Sequence, residues 1–121
     1  MGYPVIHFEV YGGNAGELRQ FYRQVFGWRL SVPPDDSYAM VDTDAGGAGI
    51  PGGIAQSPDG SARVVFYVLV PDINAHLERI EAAGGEVVMG RTDFGVVITA
   101  LARDPQGNVI GLTEEALPSP H

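Results

Sequence analysis

The chain has no cysteine. Disulfides, thiolate metal ligands and cysteine nucleophiles are therefore excluded. Basic residues are scarce, with 7 Lys and Arg against 15 Asp and Glu and a net charge of −8. Nucleic acid needs a basic footprint, so it is not an expected partner, and neither is an anionic membrane. The acidic balance would suit a cationic ligand, and a generic acidic surface explains it equally well. No apolar run approaches the roughly 20 residues of a membrane-spanning helix. The first residues carry no basic segment followed by an apolar stretch, so no signal peptide is expected, and a cytoplasmic location is. At 121 residues, the chain 1–121 reads as one domain. A domain of that size buries roughly 65% of its unfolded surface, enough for a core.

What the chain does have is a faint copy of itself, displaced by 58 residues. Val5-Ile6-His7-Phe8-Glu9-Val10 lies over Arg63-Val64-Val65-Phe66-Tyr67-Val68. The same offset sets Gly27 over Gly85, Leu30 over Val88, Gly49 over Gly107, Gly53 over Gly111 and Ile54 over Leu112. A unit this long that occurs only twice reads as two similar half-domains, not as a solenoid.

Each half shows the same order of elements. Residues 4–10 alternate and are rich in β-formers, predicting a strand. Asn14 with Glu17 three residues on is a capping-box pattern. It opens a helix to Phe26 whose residues Leu18, Phe21, Tyr22, Val25 and Phe26 share one wide face. Gly27 is placed for a left-handed cap. Strands are predicted over Trp28–Val32, Tyr38–Asp42 and Pro51–Gln56, and Ser57-Pro58-Asp59-Gly60 is a turn joining the halves. The second half gives a strand over Arg63–Val70 and a helix from the cap Asp72 to Ala83, facing inward with Ile73, Leu77 and Ile80. Strands over Glu86–Met89, Val96–Ala102 and Asn108–Thr113 follow, the last two joined by the turn Asp104-Pro105-Gln106-Gly107. The halves are module 1 (about 4–57) and module 2 (about 62–115), each β-α-β-β-β. Residues 116–121 form a tail expected to be mobile.

The order of elements, the helix end Phe21–Trp28, the Ala82–Val87 turn and the Asp104–Asn108 hairpin together resemble the vicinal oxygen chelate superfamily. Its members include glyoxalase I, bleomycin-resistance proteins and extradiol dioxygenases. The resemblance spans residues 4 to 114. It implies an α+β fold in which two βαβββ modules form a curved mixed sheet around a cleft. It also implies a homodimer that binds a small molecule.

Enzymes of the superfamily mostly hold a divalent metal on the first and last strands of each module, where it polarises a chelated substrate oxygen. By resemblance these positions are His7, Gly53, Val65 and Gly111, and only His7 carries a donor side chain. The expected function is therefore binding of a small organic ligand in a dimer cleft, with no cofactor and without the usual metal. The alternative is a lyase, isomerase or dioxygenase with a weakly bound divalent ion in a rearranged site. Glu9 lies two residues after His7 and so on the same side of the strand, and Gln56 could add an oxygen.

His7 has three readings: a lining histidine bonded to Glu9 or water, a polar anchor or general base, or the surviving metal ligand. Glu9 is a solvated carboxylate, a partner of Arg63, or a ligand contact. Candidate catalytic residues are His7 and Glu9. Candidate ligand-binding residues are His7, Glu9, Tyr38, Gly53, Arg63, Tyr67, Phe94 and Gly111. Gly53 and Gly111 either widen the cavity, admit a close backbone or mark a bulge. Trp28 reads as packing. Gly47-Ala48-Gly49-Ile50-Pro51-Gly52 matches a dinucleotide fingerprint, but no helix follows it. His76 has no His or Glu partner at metal spacing and is expected at the surface.

Overall fold

A computed structural model describes residues 2–35, 37–44 and 47–114. The predicted tail 116–121 lies outside them. The chain divides into two compact units, Ile6–Val65 and Met1–Val5 with the chain from Phe66 on. The division falls inside a strand and not at the Ser57–Gly60 turn. Arg63 packs on Tyr11 in the first unit, and the Leu69 N–H bonds Pro4 O in the second at 2.9 Å.

The first unit holds β1 (Val5–Gly12), α1 (Ala15–Phe26), β2 (Arg29–Ser31), β3 (Tyr38–Asp42) and β4 (Gly52–Gln56). Its strands run in the order β2-β3-β4-β1. β1 and β4 are parallel, and the other pairs are antiparallel. Val10, Ala39, Val41 and Ile54 form its core, with Phe8, Leu18, Tyr22, Trp28 and Leu30 packed around them. The Trp28 ring stacks on Tyr22 at 4.9 Å, as the packing reading of this residue expects. The wide face predicted for α1 is only partly covered. Leu18 and Tyr22 meet the core, while Phe21, Val25 and Phe26 are exposed. One sheet surface covers a single stripe of a helix, narrower than the apolar arc this sequence offers.

The second unit repeats the pattern with β5 (Arg63–Leu69), α2 (Ile73–Ala82), β6 (Glu86–Asp93), β7 (Ile98–Arg103) and β8 (Val109–Glu114). The order is β5-β8-β7-β6, with β5 and β8 parallel. Val70, Ile73, Leu77, Ala100, Ala102 and Leu112 are its buried core. β6 continues past the predicted end at Met89, because pairing with β7 resumes through register shifts as far as Asp93 opposite Ile98. β7 correspondingly starts at Ile98, after a turn in which the Phe94 N–H bonds Val97 O at 2.8 Å.

The 58-residue echo is obeyed in register. Glu9 faces Gly53 across β1 and β4, and Tyr67 faces Gly111 across β5 and β8. It also governs how each helix starts. The Glu17 N–H donates to the Asn14 cap, and the Ala75 N–H donates to the Asp72 cap. The Ala15 N–H donates to Gln56 Oε1 at 3.0 Å, and the Ile73 N–H donates to Glu114 Oε2 at 2.8 Å. The last strand of each unit thus supplies an acceptor to the first turn of its helix, which would otherwise leave N–H groups unpaired. Arg91 holds Glu114 there through a paired contact, with Nη2 to Oε1 at 2.9 Å. Gln56 also donates to Gly13 O. Gln56 is thereby committed to a helix start, which corrects its reading as a metal oxygen.

Candidate functional site

The polar cluster of the first unit grows from the alternation of β1. His7, Glu9 and Tyr11 occupy every second position, so their side chains leave the strand on one side. β3 brings Tyr38 to them. The His7 Nε2 and Tyr38 hydroxyl are 2.8 Å apart, and that hydroxyl donates to Glu9 Oε2, also at 2.8 Å. Glu9 Oε1 accepts a further hydrogen bond from the Tyr11 hydroxyl. A phenol has one proton. With that proton on Glu9, the Tyr38 oxygen accepts from a His7 Nε2–H. The result is a directional chain from imidazole through phenol to carboxylate.

Burial sets the charges along this chain. Glu9 is only 9% exposed, and it gives two of its acceptor positions to the phenols. These donors satisfy oxygens that burial cuts off from water. Burial lowers the His7 pKa, opposed by the nearby Glu9 carboxylate, and this favours the neutral imidazole. Burial, then the charge of Glu9, pushes the Tyr38 hydroxyl well above the ordinary phenol value, so it keeps its proton.

A pH dependence follows from His7. Its pKa in the fold lies below the ordinary value near 6.5, so as pH falls the unfolded chain takes up the proton first. Stability is therefore expected to fall as pH drops below about 6.5. His7→Gln should flatten this slope in urea midpoints measured between about pH 7 and 5. Equal slopes in the two proteins would count against a buried neutral His7.

The two glycines at the expected ligand positions have a different use from those predicted. A side chain on Gly53 would collide with the Tyr38 ring and hydroxyl, and one on Gly111 would collide with the Tyr67 ring. The space belongs to tyrosines of the same unit, which corrects the widened-cavity reading. Val65 is fully buried. Arg63 lies with its guanidinium 4.8 Å from the centre of the Tyr11 ring. Phe94 sits in the β6–β7 turn and is 57% exposed.

His76 is half-buried and not at the surface, with its ring edge-on to Tyr3 at 4.7 Å. The pairing of Leu69 with Pro4 carries Tyr3 to α2. The sequence reading missed Tyr11, although the period-two step from His7 through Glu9 leads directly to it. A shallow apolar concavity of the first unit lies elsewhere, lined by Leu30, Met40 and Val41 among others. Among the described residues, no three His, Asp, Glu or Cys side chains converge as a metal site would require. The residues at these positions therefore do not fit the metal that the resemblance implies. No helix of the described residues is long and apolar enough to cross a membrane.

The sequence model of the Glyoxalase/Bleomycin resistance protein/Dioxygenase superfamily matches residues 5–112. No curated protein sequence matches the chain significantly. Among solved structures, a glyoxalase/bleomycin resistance protein/dioxygenase superfamily member from Vibrio splendidus 12B01 is similar with a TM-score of 0.65 and 16% identity. That match covers 93% of this chain and 99% of the other. Methylmalonyl-CoA epimerase from Mycobacterium tuberculosis is similar at 0.60 and 14% identity, covering 93% and 87%. The 2,3-dioxygenase LapB from Pseudomonas sp. KL28 is similar at 0.64 and 21% identity, covering 96% of this chain and 44% of the dioxygenase. At these identities the likeness is one of fold.

Proposed function

The chain belongs to the glyoxalase/bleomycin resistance protein/dioxygenase superfamily, and we propose that it binds a small organic molecule at the His7–Glu9–Tyr11–Tyr38 cluster without a resident metal. One observation carries this reading. His7 Nε2 and Glu9 Oε2 converge on a single point, and the Tyr38 hydroxyl occupies it at 2.8 Å from each. The two remaining metal-capable side chains are satisfied by a proton-bearing phenol whose raised pKa disfavours the phenolate a metal would want. Such a set suits hydrogen bonding to a polar ligand group, and the neutral imidazole is suited to accept a proton. The proposal includes a homodimer and a cytoplasmic setting. The exposed Phe21, Val25 and Phe26 of α1 are apolar surface that a second copy would cover.

The same convergence supports a second reading, a metal-dependent lyase, isomerase or dioxygenase. If Tyr38 swung away, His7 and Glu9 would present a nitrogen and an oxygen to one ion. Elemental analysis of the purified protein separates the two. The expected result is no stoichiometric divalent metal, and no change in melting temperature on adding Ni²⁺, Mn²⁺ or Fe²⁺. One tightly bound ion per chain would overturn the metal-free reading. So would metal-dependent turnover of thiohemiacetals, catechols or 2-oxo acids that His7→Ala abolishes.

A further inference from the structure

The charges in the His7–Tyr38 cluster are satisfied unequally. Glu9 already accepts from two phenols. Arg63 has no such return. Its side chain is half-buried, its Nε is shut off from solvent without a hydrogen-bond partner, and its guanidinium lies over the face of the Tyr11 ring. A guanidinium has five N–H donors in a rigid fork and no acceptor. An aromatic face offsets part of the cost of burying that charge and supplies no acceptor in the plane of the fork. The nearest acidic residue in sequence, Asp59, feels the Arg63 charge, but its Oδ1 is engaged by Ser61, whose backbone N–H and hydroxyl both donate to it.

Tyr11 links this cation to the relay. Its ring lies under Arg63, and its hydroxyl donates to Glu9. Stacking on a ring also fixes the plane of the guanidinium, which reduces the entropy lost when the fork grips a planar anion. A carboxylate is the planar, two-oxygen group that matches such a fork.

We propose that Arg63 anchors a carboxylate-bearing small molecule beside Tyr11, so that the site selects organic anions although the chain as a whole is acidic. This rests on the small-molecule reading of the cluster and names the ligand class. It reverses the preference for a cation that the net charge of −8 would suggest, because the buried donor left without an acceptor belongs to a cation. A carboxylate held here would also lie close to the proton-holding phenols and imidazole, which could then act on a neighbouring polar group of the same molecule.

The test uses three probes of similar size and different charge: butyrate, butyramide and butylammonium. Each is titrated into the ¹⁵N-labelled protein and followed through the backbone amides of Ile6–Val65. Butyrate is expected to shift the amides around Arg63 and Tyr11 and to bind at least about tenfold more tightly than either other probe. Arg63→Gln should remove that advantage, bringing butyrate down to the affinity of butyramide. Arg63→Lys keeps the charge and loses the fork, so it should fall between the two. It also serves if the glutamine variant fails to fold, which its amide spectrum will show.

Undiminished butyrate binding in either folded variant would overturn the proposal. If butyramide or butylammonium shifts these amides and butyrate does not, the carboxylate assignment fails while the small-molecule reading stands. If none of the three shifts any amide of the unit, both fail.

Discussion

Gly53→Ala is expected to destabilise the protein by about 3 kcal/mol, read as a lowered urea midpoint at unchanged slope. The new methyl would occupy the position of the Tyr38 ring and hydroxyl. Overpacking of this kind costs about 1–3 kcal/mol. Displacing the ring also separates its hydroxyl from His7 and Glu9, at about 1 kcal/mol for each bond. The cause can be checked by a double-mutant cycle. In Gly53→Ala with Tyr38→Ala, the second change removes the obstacle, so the combined loss should be clearly smaller than the sum. Gly111→Ala should show the same coupling to Tyr67→Ala, with an overpacking loss of about 1–3 kcal/mol. Additive losses at Gly53 would mean that the glycine is required for some reason other than the tyrosine above it.

Tyr38→Phe is expected to cost about 2 kcal/mol and to raise the His7 pKa. The ring and its packing over Gly53 stay, while the hydroxyl between imidazole and carboxylate is lost. Glu9 then keeps the phenol of Tyr11 and faces His7 without an intervening donor. The carboxylate already opposes the lowering of the His7 pKa by burial, and its influence should grow. The stability loss is measurable by urea unfolding, and the titration shift by NMR of the His7 ring. A variant with native stability and an unmoved imidazole would show that the hydroxyl does not connect the two groups. Tyr38→Phe also clears the point on which Nε2 and Oε2 converge, so a divalent ion that stabilises this variant and not the parent would identify Tyr38 as what keeps metal out.

Much of the architecture was legible in the sequence. The helix start at Asn14 and its counterpart at Asp72 were readable because a cap depends on a few neighbouring residues. The end of α1 was readable because Gly27 adopts the left-handed conformation, with φ of 68°, that a glycine after a helix favours. The offset of 58 was a statement about register before any strand was placed, and the facing pairs Glu9–Gly53 and Tyr67–Gly111 honour it. The partial exposure of the apolar arc of α1 was not legible, since how much of a helix is covered depends on the surface it meets. Nor was the extension of β6, which needs β7 as a partner to continue past Met89.

The sequence by itself determined that residues 53, 65 and 111 offer no metal donor, because the side chains of glycine and valine carry none. It also determined that His7 and Glu9 share a side of β1, because the strand period is two. Only the tertiary structure decided what surrounds those positions. It set Tyr38 between His7 and Glu9, laid Tyr67 over Gly111, turned Gln56 to the start of α1 and placed Arg63 on the ring of Tyr11. The physical reason is one of range. Strand alternation, helix faces and caps are set within a few residues, whereas these encounters depend on how strands and helices distant in sequence are brought together.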